Sequence, residues 1–299
     1  DSTGLRDRRQ EEKLIMCLLV FAYGGPDGRF ILCNNRDEFF DRETSRGVYD
    51  SAAACYSPVD MEAGGTWIAF SSKSNGRFAV ILNFHEWRYS APVNGSATSG
   101  LRKRSRGLLP KLFIESPEHI SAKMFATECI HGVGYSGYNL IIGDCDGCYY
   151  VSNCCPGRVP TYLQPNTVHG ITNGRLDDTW MKVLRSKTAI EKIFEEENLV
   201  GEHHSARCLA KSLLEVMQDS TPLPDATYGT RISDLMQLSA ANVEPMRLKG
   251  EMYGTRTITI AIGIPVTSDS DPPSKCREGQ MHVFEHDRSA LSEWNSQEF

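Results

Sequence analysis

The chain has 299 residues, a net charge of −6 and an apolar fraction of 40%. These values are typical of a globular protein with one large domain or two ordinary ones, and the negative charge argues against general affinity for nucleic acid or anionic membranes. No apolar run approaches the ~20 residues that a transmembrane helix needs, so the sequence predicts no membrane-spanning segment.

Residues 1–15 are polar and mixed in charge. They lack the apolar core of a secretory signal and are too acidic for a typical mitochondrial presequence. We expect them to form a disordered extension, followed by a single domain over residues 16–299, because no repeat or clear linker interrupts the rest of the chain. The ten cysteines are scattered, which is typical of free thiols in a reducing compartment.

The first two apolar runs, residues 16–23 and 29–38, predict two buried strands around a turn rich in glycine. If translation starts at Met16 and this methionine is removed, Cys17 carries a thiol beside a free α-amine with a pKa of about 7.7–8.0. One residue then supplies both a nucleophile and its base. The alternative interpretation, and the more common one, is that Cys17 is a small apolar strand residue.

A second hairpin is predicted from a strand at 66–71, an Asn-Gly turn and a strand at 77–84. Gly64-Gly65, directly before it, indicates that the backbone approaches another backbone or a ligand there. The polar residues 88–106 form a long connection that contains a basic cluster, residues 102–106. This cluster is either a phosphate or carboxylate site, a localisation signal, or a solvated loop.

The rest of the chain alternates between helical and strand patterns. Helices are expected from Ser116-Pro117 to about residue 131, at 175–198 and at 205–218, and strands at 137–143, 148–152, 167–173, 256–262 and 281–285. Because several strands are apolar on both faces and must be covered, we predict an α+β fold, a four-layer α-β-β-α sandwich. Cys145-x2-Cys148 allows a zinc knuckle, but a second pair at similar spacing is missing, so no metal site is expected.

Polar residues stand at the ends of the apolar strands. Arg36 and Asp37 end one strand, Asn83 and Asn173 end two others, and Arg256 begins a fourth. Strand ends gather at the rim of a sheet, where a nucleophile, amide donors and an arginine would form an acyl-transfer site. The alternative for each residue is a turn position or a surface charge.

Together these elements resemble the NRDE family, in an order that spans about residues 16 to 299. The matching elements are Met16-Cys17, Asn35-Arg36-Asp37-Glu38, Gly64-Gly65-Thr66-Trp67, Leu82-Asn83-Phe84, Tyr138-Asn139-Leu140, Gly170-Ile171-Thr172-Asn173 and Tyr253-Gly254-Thr255-Arg256-Thr257. The resemblance implies a fold of the N-terminal-nucleophile hydrolase type. By similarity to cysteine hydrolases of that type, it implies a catalytic set of Cys17, Arg36, Asp37, Asn83, Asn173 and Arg256. Expected ligand contacts are Arg36, Trp67, Arg104, Arg106 and Arg256.

The resemblance also implies roles in Golgi organisation and secretion, in lipid and acyl-CoA homeostasis with mitochondrial association, and in haem trafficking, without an established reaction. We therefore expect an intracellular, cytoplasmic protein that handles haem or acyl-CoA and associates peripherally with the Golgi or mitochondria. It should require no cofactor. The alternatives are an amidase or thioesterase with Cys17 as nucleophile, and a scaffold of the secretory pathway.

Overall fold

The structure is a computed structural model that describes eleven segments of the chain. They are residues 16–24, 30–72, 76–84, 104–129, 134–154, 159–200, 205–223, 240–248, 250–265, 279–288 and 295–298. These segments form two seven-stranded antiparallel sheets and four helices, which confirms the α+β class. The predicted extension and most of the loop at 88–106 lie outside the described residues.

The first sheet joins the start of the chain to its end. Its strands are β1 (Leu18–Tyr23), β2 (Phe30–Phe39), β10 (Thr167–Ile171), β11 (Met246–Leu248), β12 (Glu251–Pro265), β13 (Gly279–Asp287) and β14 (Asn295–Glu298). The order is β10-β1-β2-β12-β13-β14, and β11 pairs with β12. Strand β2 therefore lies between β1 and β12, with partners on both edges.

The second sheet is built from the middle of the chain, in sequence order. Its strands are β3 (Val48–Asp50), β4 (Cys55–Ser57), β5 (Ile68–Ser71), β6 (Phe78–Asn83), β7 (Tyr138–Asp144), β8 (Gly147–Ser152) and β9 (Thr161–Leu163). Both predicted hairpins of this region are confirmed, since β5 pairs with β6 and β7 pairs with β8.

The helices cover the outer faces of the two sheets. They are α1 (Leu108–Glu115), α2 (Ala122–Cys129), α3 (Met181–Val200) and α4 (Ala206–Met217). Trp180, Val183 and Leu213 pack with residues of β1, β2 and β12 in one apolar cluster, and Phe113 and Ala126 pack with β6 and β7 in another. A third cluster joins the inner faces of the sheets. The order of layers is therefore helices, sheet, sheet, helices.

One predicted helix boundary is wrong. Ser116 does not begin a helix but is the C-cap of α1, an element that the sequence analysis missed, and Pro117 follows it. The next helix begins at Ala122, five residues after Pro117. By contrast, α4 begins as predicted, with the side chain of Ser205 accepting a hydrogen bond from the backbone N–H of Cys208.

Arg77, directly before β6, organises the turn between α1 and α2. Its buried guanidinium donates to five backbone carbonyls between Phe113 and Ile120, at 2.6–3.3 Å, and lies 5.3 Å from the centroid of the Phe113 ring. These carbonyls include the end of α1, where the helix leaves acceptors without intrahelical partners. One buried arginine therefore satisfies carbonyls of the largely exposed turn between α1 and α2.

We predict that Arg77→Lys lowers the free energy of unfolding by about 2–3 kcal/mol, because an ammonium cannot donate to so many carbonyls at once. The measurement is urea denaturation. The matched control is Arg185→Lys, since Arg185 forms a largely exposed ion pair with Asp219, and it should change stability by less than about 0.5 kcal/mol. Equal effects of the two substitutions would contradict the role assigned to Arg77.

Candidate functional site

Strand β2 presents the Asn-Arg-Asp-Glu sequence to two different layers. Side chains alternate along a strand, so Arg36 and Glu38 face the space between the sheets, where both line a cavity. Asn35 and Asp37 face the helices: the Asn35 amide donates to the carbonyls of Met217 and Ala241, at 2.8 and 2.7 Å. The four polar residues therefore belong to two sites, one at the cavity and one beneath the helices.

The cavity has a volume of about 730 Å³ and is partly open to solvent. Among the described residues that line it are Cys17, Asn34, Arg36, Glu38, Arg42, Asp60, Glu62, Gly65, Trp67, Ile81, Leu82, Asn83, Arg104, Arg106 and Gly107. It thus brings together Cys17, Arg36, Trp67, Asn83, Arg104 and Arg106 of the predicted site residues. Its lining mixes apolar side chains with four arginines and three carboxylates.

Cys17 lies directly before β1, where its partly buried thiol contacts both the cavity and the adjoining apolar clusters. The thiol donates to the backbone carbonyl of Asp37, at 3.7 Å. Burial and the nearby Asp37 carboxylate raise the pKa of the Cys17 thiol to about 12, so the protonated thiol is the form present near neutral pH. A thiol is a much weaker nucleophile than a thiolate.

Beneath Cys17 lies a buried ion pair that the sequence analysis missed. Lys182 in α3 is 3.4 Å from the Asp37 carboxylate, and the side chains of Lys182 and Asp37 are only 1% and 0% exposed. Thr255 donates to the other carboxylate oxygen, at 2.6 Å. Burial raises the pKa of Asp37 to about 6, although Lys182 and Thr255 act in the opposite direction. The Asp37 side chain therefore faces the helix layer, whereas its backbone carbonyl accepts the hydrogen bond from the Cys17 thiol.

The same cluster fixes Met16. Lys182 donates to the Met16 carbonyl, and the Met16 backbone N–H donates to the hydroxyl of Tyr253, at 3.0 Å. The Met16 side chain is 2% exposed and packs in the apolar cluster under α3 and α4. Met16 is therefore a core residue in this structure, and Cys17 follows it through an ordinary peptide bond.

Arg36 lies across the cavity wall. Its guanidinium stacks 4.4 Å from the centroid of the Trp67 ring and lies 3.6 Å from Glu38 and 3.5 Å from Asp60. Thr44 accepts a further hydrogen bond, at 3.1 Å. Arg36 is thus held by two carboxylates and an aromatic face, and much of its charge is already balanced within the protein.

Two predicted site residues serve mainly to hold backbone. Arg256 occupies a β-bulge between Thr255 and Thr257, and its guanidinium donates to the carbonyls of Phe40 and Arg42. Asn173 is fully buried, and its amide donates to the carbonyl of Asn83, at 3.0 Å. Neither Arg256 nor Asn173 is among the described residues that line the cavity.

Gly65 forms part of the cavity wall and approaches another backbone there, as expected from Gly64-Gly65. A Cβ on Gly65 would lie 2.6 Å from the carbonyl carbon of Gly107, and Thr66 donates to the Gly107 carbonyl, at 2.9 Å. This contact places Arg106 beside the cavity, where its guanidinium donates to the carbonyl of Gly137, at 3.0 Å. Arg104 is exposed at the same wall, and no described carboxylate pairs with it.

The described cysteines do not form a metal site. Cys145 forms a disulfide, so the expectation that all ten cysteines are free thiols is wrong. Cys148 is a buried free thiol in the cluster between the sheets. These two side chains therefore cannot share a zinc ion. Within the described residues, no group of three or more potential ligands lies close enough to hold a metal, and no helix is long and apolar enough to cross a membrane.

The protein is an α+β protein in which two antiparallel sheets pack face to face and helices cover their outer faces. Cys17 lines a partly open cavity. The family described as Transport and Golgi organisation 2 matches residues 16–271, and the chain belongs to that family. It is 26% identical to Transport and Golgi organization protein 2 of Drosophila melanogaster over 306 aligned positions, 94% of this chain and 96% of the fly protein. It is also 31% identical to an uncharacterised protein of Saccharomyces cerevisiae over 106 residues, 33% of this chain and 31% of the yeast protein.

We predict that Lys182→Met destabilises the protein by about 3 kcal/mol, because it leaves the Asp37 carboxylate buried without a counter-charge. The double variant Asp37→Asn/Lys182→Met should recover most of this loss. The measurement is a double-mutant cycle by urea denaturation at pH 7.5. Additive losses in the double variant would contradict the coupling of the two residues.

The pH dependence provides an independent check. The pKa of Asp37 in the folded state, about 6, lies above its ordinary value of 3.8, so folding takes up a proton between these values and this group favours folding as pH falls through 6. Asp37→Asn removes that component. Asp177 is the control of opposite sign. Burial raises the pKa of Asp177, but hydrogen bonds from His169 and Lys187 outweigh burial and lower this pKa to about 2. The stability that the Asp177 carboxylate contributes is therefore lost as pH falls from about 4 to 2.

Proposed function

We propose that this protein is an intracellular handling protein for an amphipathic anion, an acyl-CoA or haem, with roles in lipid homeostasis, haem trafficking and Golgi organisation and secretion. The observation that carries the proposal is the cavity itself. Its volume of about 730 Å³ lies in the usual range for small-molecule sites. The family and its fly member support the connection with transport and the Golgi.

The charge distribution of the lining favours a ligand with an apolar body and anionic groups. Trp67, Ile81 and Leu82 supply apolar surface. Arg36 is balanced by neighbouring carboxylates, whereas Arg104 has no described counter-ion. An exposed arginine beside apolar surface suits the phosphates of acyl-CoA or the propionates of haem.

Cys17 favours binding over covalent catalysis in this structure. Among the described residues that line the cavity, it is the one side chain with a sulfur atom, and it would have to lose its proton to ligate haem iron. Its raised pKa and the preceding Met16 remove both the thiolate and the free amine that the hydrolase mechanism needs. We place the protein in the cytoplasm, with peripheral association with the Golgi or mitochondria.

The second candidate function is a cysteine amidase or thioesterase with a fold of the N-terminal-nucleophile type. The layer order and the position of Cys17 on the cavity favour it. In this reaction Cys17 would attack an acyl carbon, its free α-amine would pass the thiol proton to the departing amine or thiol, and Asn83, which lines the cavity, would stabilise the oxyanion. It requires a chain that begins at Cys17, and removal of Met16 would leave a gap in the apolar cluster beneath α3.

We predict that Arg104→Gln weakens binding of dodecanoyl-CoA about fivefold, because a charge-assisted hydrogen bond to phosphate is lost. The measurement is isothermal titration calorimetry at two salt concentrations, and the loss should be smaller at high salt. Arg185→Gln, which changes an exposed arginine of α3, is the matched control and should bind as the wild type does. Haem is titrated in parallel by its absorption spectrum, and failure of both ligands to bind the wild-type protein would refute the proposed function.

The reactivity of Cys17 separates the two candidate functions. With a pKa of about 12, Cys17 should react with iodoacetamide at pH 8 at least ~100-fold more slowly than exposed Cys208, and its rate should rise up to about pH 11. Peptide mapping by mass spectrometry measures both rates in one sample, with Cys208→Ser as a control for assignment. Rapid labelling of Cys17 at neutral pH, together with turnover of dodecanoyl-CoA that Cys17→Ala abolishes, would establish the hydrolase instead.

A further inference from the structure

Arg42, which the sequence analysis missed as a site residue, lines the cavity with unused hydrogen-bond donors. Its Nε donates to the Asp60 carboxylate, at 2.8 Å, whereas its two terminal nitrogens have no hydrogen-bond partner in the described part of the chain. The Arg42 side chain is 31% exposed, and neither terminal nitrogen is among the buried polar atoms that lack a partner. Both terminal nitrogens are therefore accessible to a ligand.

Contacts with its backbone and with its Nε hold Arg42 in place. The Arg256 guanidinium donates to the Arg42 carbonyl. Asp60 is itself fixed, because the carboxylate oxygen that does not contact Arg42 accepts from the backbone N–H groups of Glu62 and Ala63, at 3.2 and 3.1 Å. A guanidinium held in this way leaves its terminal nitrogens as one fork, the arrangement that binds a carboxylate or phosphate through two parallel hydrogen bonds.

The charges around this fork favour an anion with a single negative charge. Glu38 and Asp60 lie 3.7 and 2.8 Å from the Arg42 Nε, and both also pair with Arg36. Glu62 adds a third carboxylate to the cavity lining. Burial lowers the pKa of Arg42, but these three carboxylates outweigh burial and raise it. Two arginines thus share this region with three carboxylates, so a phosphate dianion meets more repulsion here than a carboxylate does.

We propose that the fork of Arg42 recognises a carboxylate group of the ligand. This inference rests on the proposed function, because it assumes that the cavity holds an amphipathic anion. It deepens that proposal by assigning its two kinds of anionic group to different residues. A carboxylate, the group that the haem propionates carry, binds at Arg42. A phosphate binds at the exposed Arg104, with which no described carboxylate pairs.

Two probes with the same apolar chain, dodecanoate and dodecyl phosphate, test this assignment by calorimetry. Arg42→Lys keeps the positive charge but loses the planar fork, so it should weaken dodecanoate about tenfold and dodecyl phosphate less than about twofold. Arg104→Gln should show the reverse pattern. Arg185→Lys, which changes an exposed arginine of α3, is the matched control and should bind both probes as the wild type does. Unchanged binding of dodecyl phosphate also shows that Arg42→Lys keeps its fold.

A measurement on the wild-type protein does not depend on the folding of any variant. Phenylglyoxal modifies accessible arginines, and peptide mapping by mass spectrometry follows each site separately. Saturating dodecanoate should slow the modification of Arg42, whereas the rate at Arg185 should not change. Dodecyl phosphate should instead slow the modification of Arg104.

The inference is overturned if Arg42→Lys leaves dodecanoate binding unchanged or weakens both probes equally. It is also overturned if dodecanoate fails to bind or fails to protect Arg42 in the wild-type protein. The proposed function survives each of these results as long as dodecanoyl-CoA or haem binds the wild type. If neither of these ligands nor either probe binds, the proposed function fails together with the inference.

Discussion

The buried contact between Asp37 and Lys182 ties together the parts of the molecule that position the site. It joins the C-terminal part of β2 to the first turn of α3, and through Thr255 it reaches β12. Lys182 also holds the carbonyl of Met16, so the residue before Cys17 is fixed by the same ammonium. A buried charge pair is costly to break, and this one lies where three sequence-distant elements must meet.

The alternation of β2 explains how one polar tetrapeptide serves two layers. A strand buried on both faces usually carries apolar side chains throughout, yet here polar residues face both ways. Asn35 and Asp37 hold the helix layer by hydrogen bonds to its backbone and to Lys182. Arg36 and Glu38 form an ion pair on the cavity. A shift of one residue in register would exchange the two sets, so the tetrapeptide fixes both the register of β2 and the composition of the cavity.

Local patterns in the sequence predicted the features that depend on nearby residues. The β5–β6 and β7–β8 hairpins and the Ser205 cap follow from turn and capping preferences within a few residues. The layer order followed from strands that are apolar on both faces. Ser116-Pro117 misled because the same residues that begin a helix can end one, and the deciding contact is with Arg77, 39 residues away. Lys182 carries no local pattern that marks it as buried, because its partners come from β2 and from Met16.

The sequence predicted which residues line the cavity better than it predicted which polar side chains bind backbone carbonyls instead. Cys17, Arg36, Trp67 and Arg104 all line the cavity, as residues at strand ends and in the basic loop would. Arg256 is used instead to satisfy carbonyls at a bulge, a role that depends on ladder geometry. The cavity that results is lined by four arginines, three carboxylates and a protonated thiol. Such a lining supports the proposed binding role, because Arg104 has no described counter-ion whereas the protonated thiol of Cys17 is not an activated nucleophile.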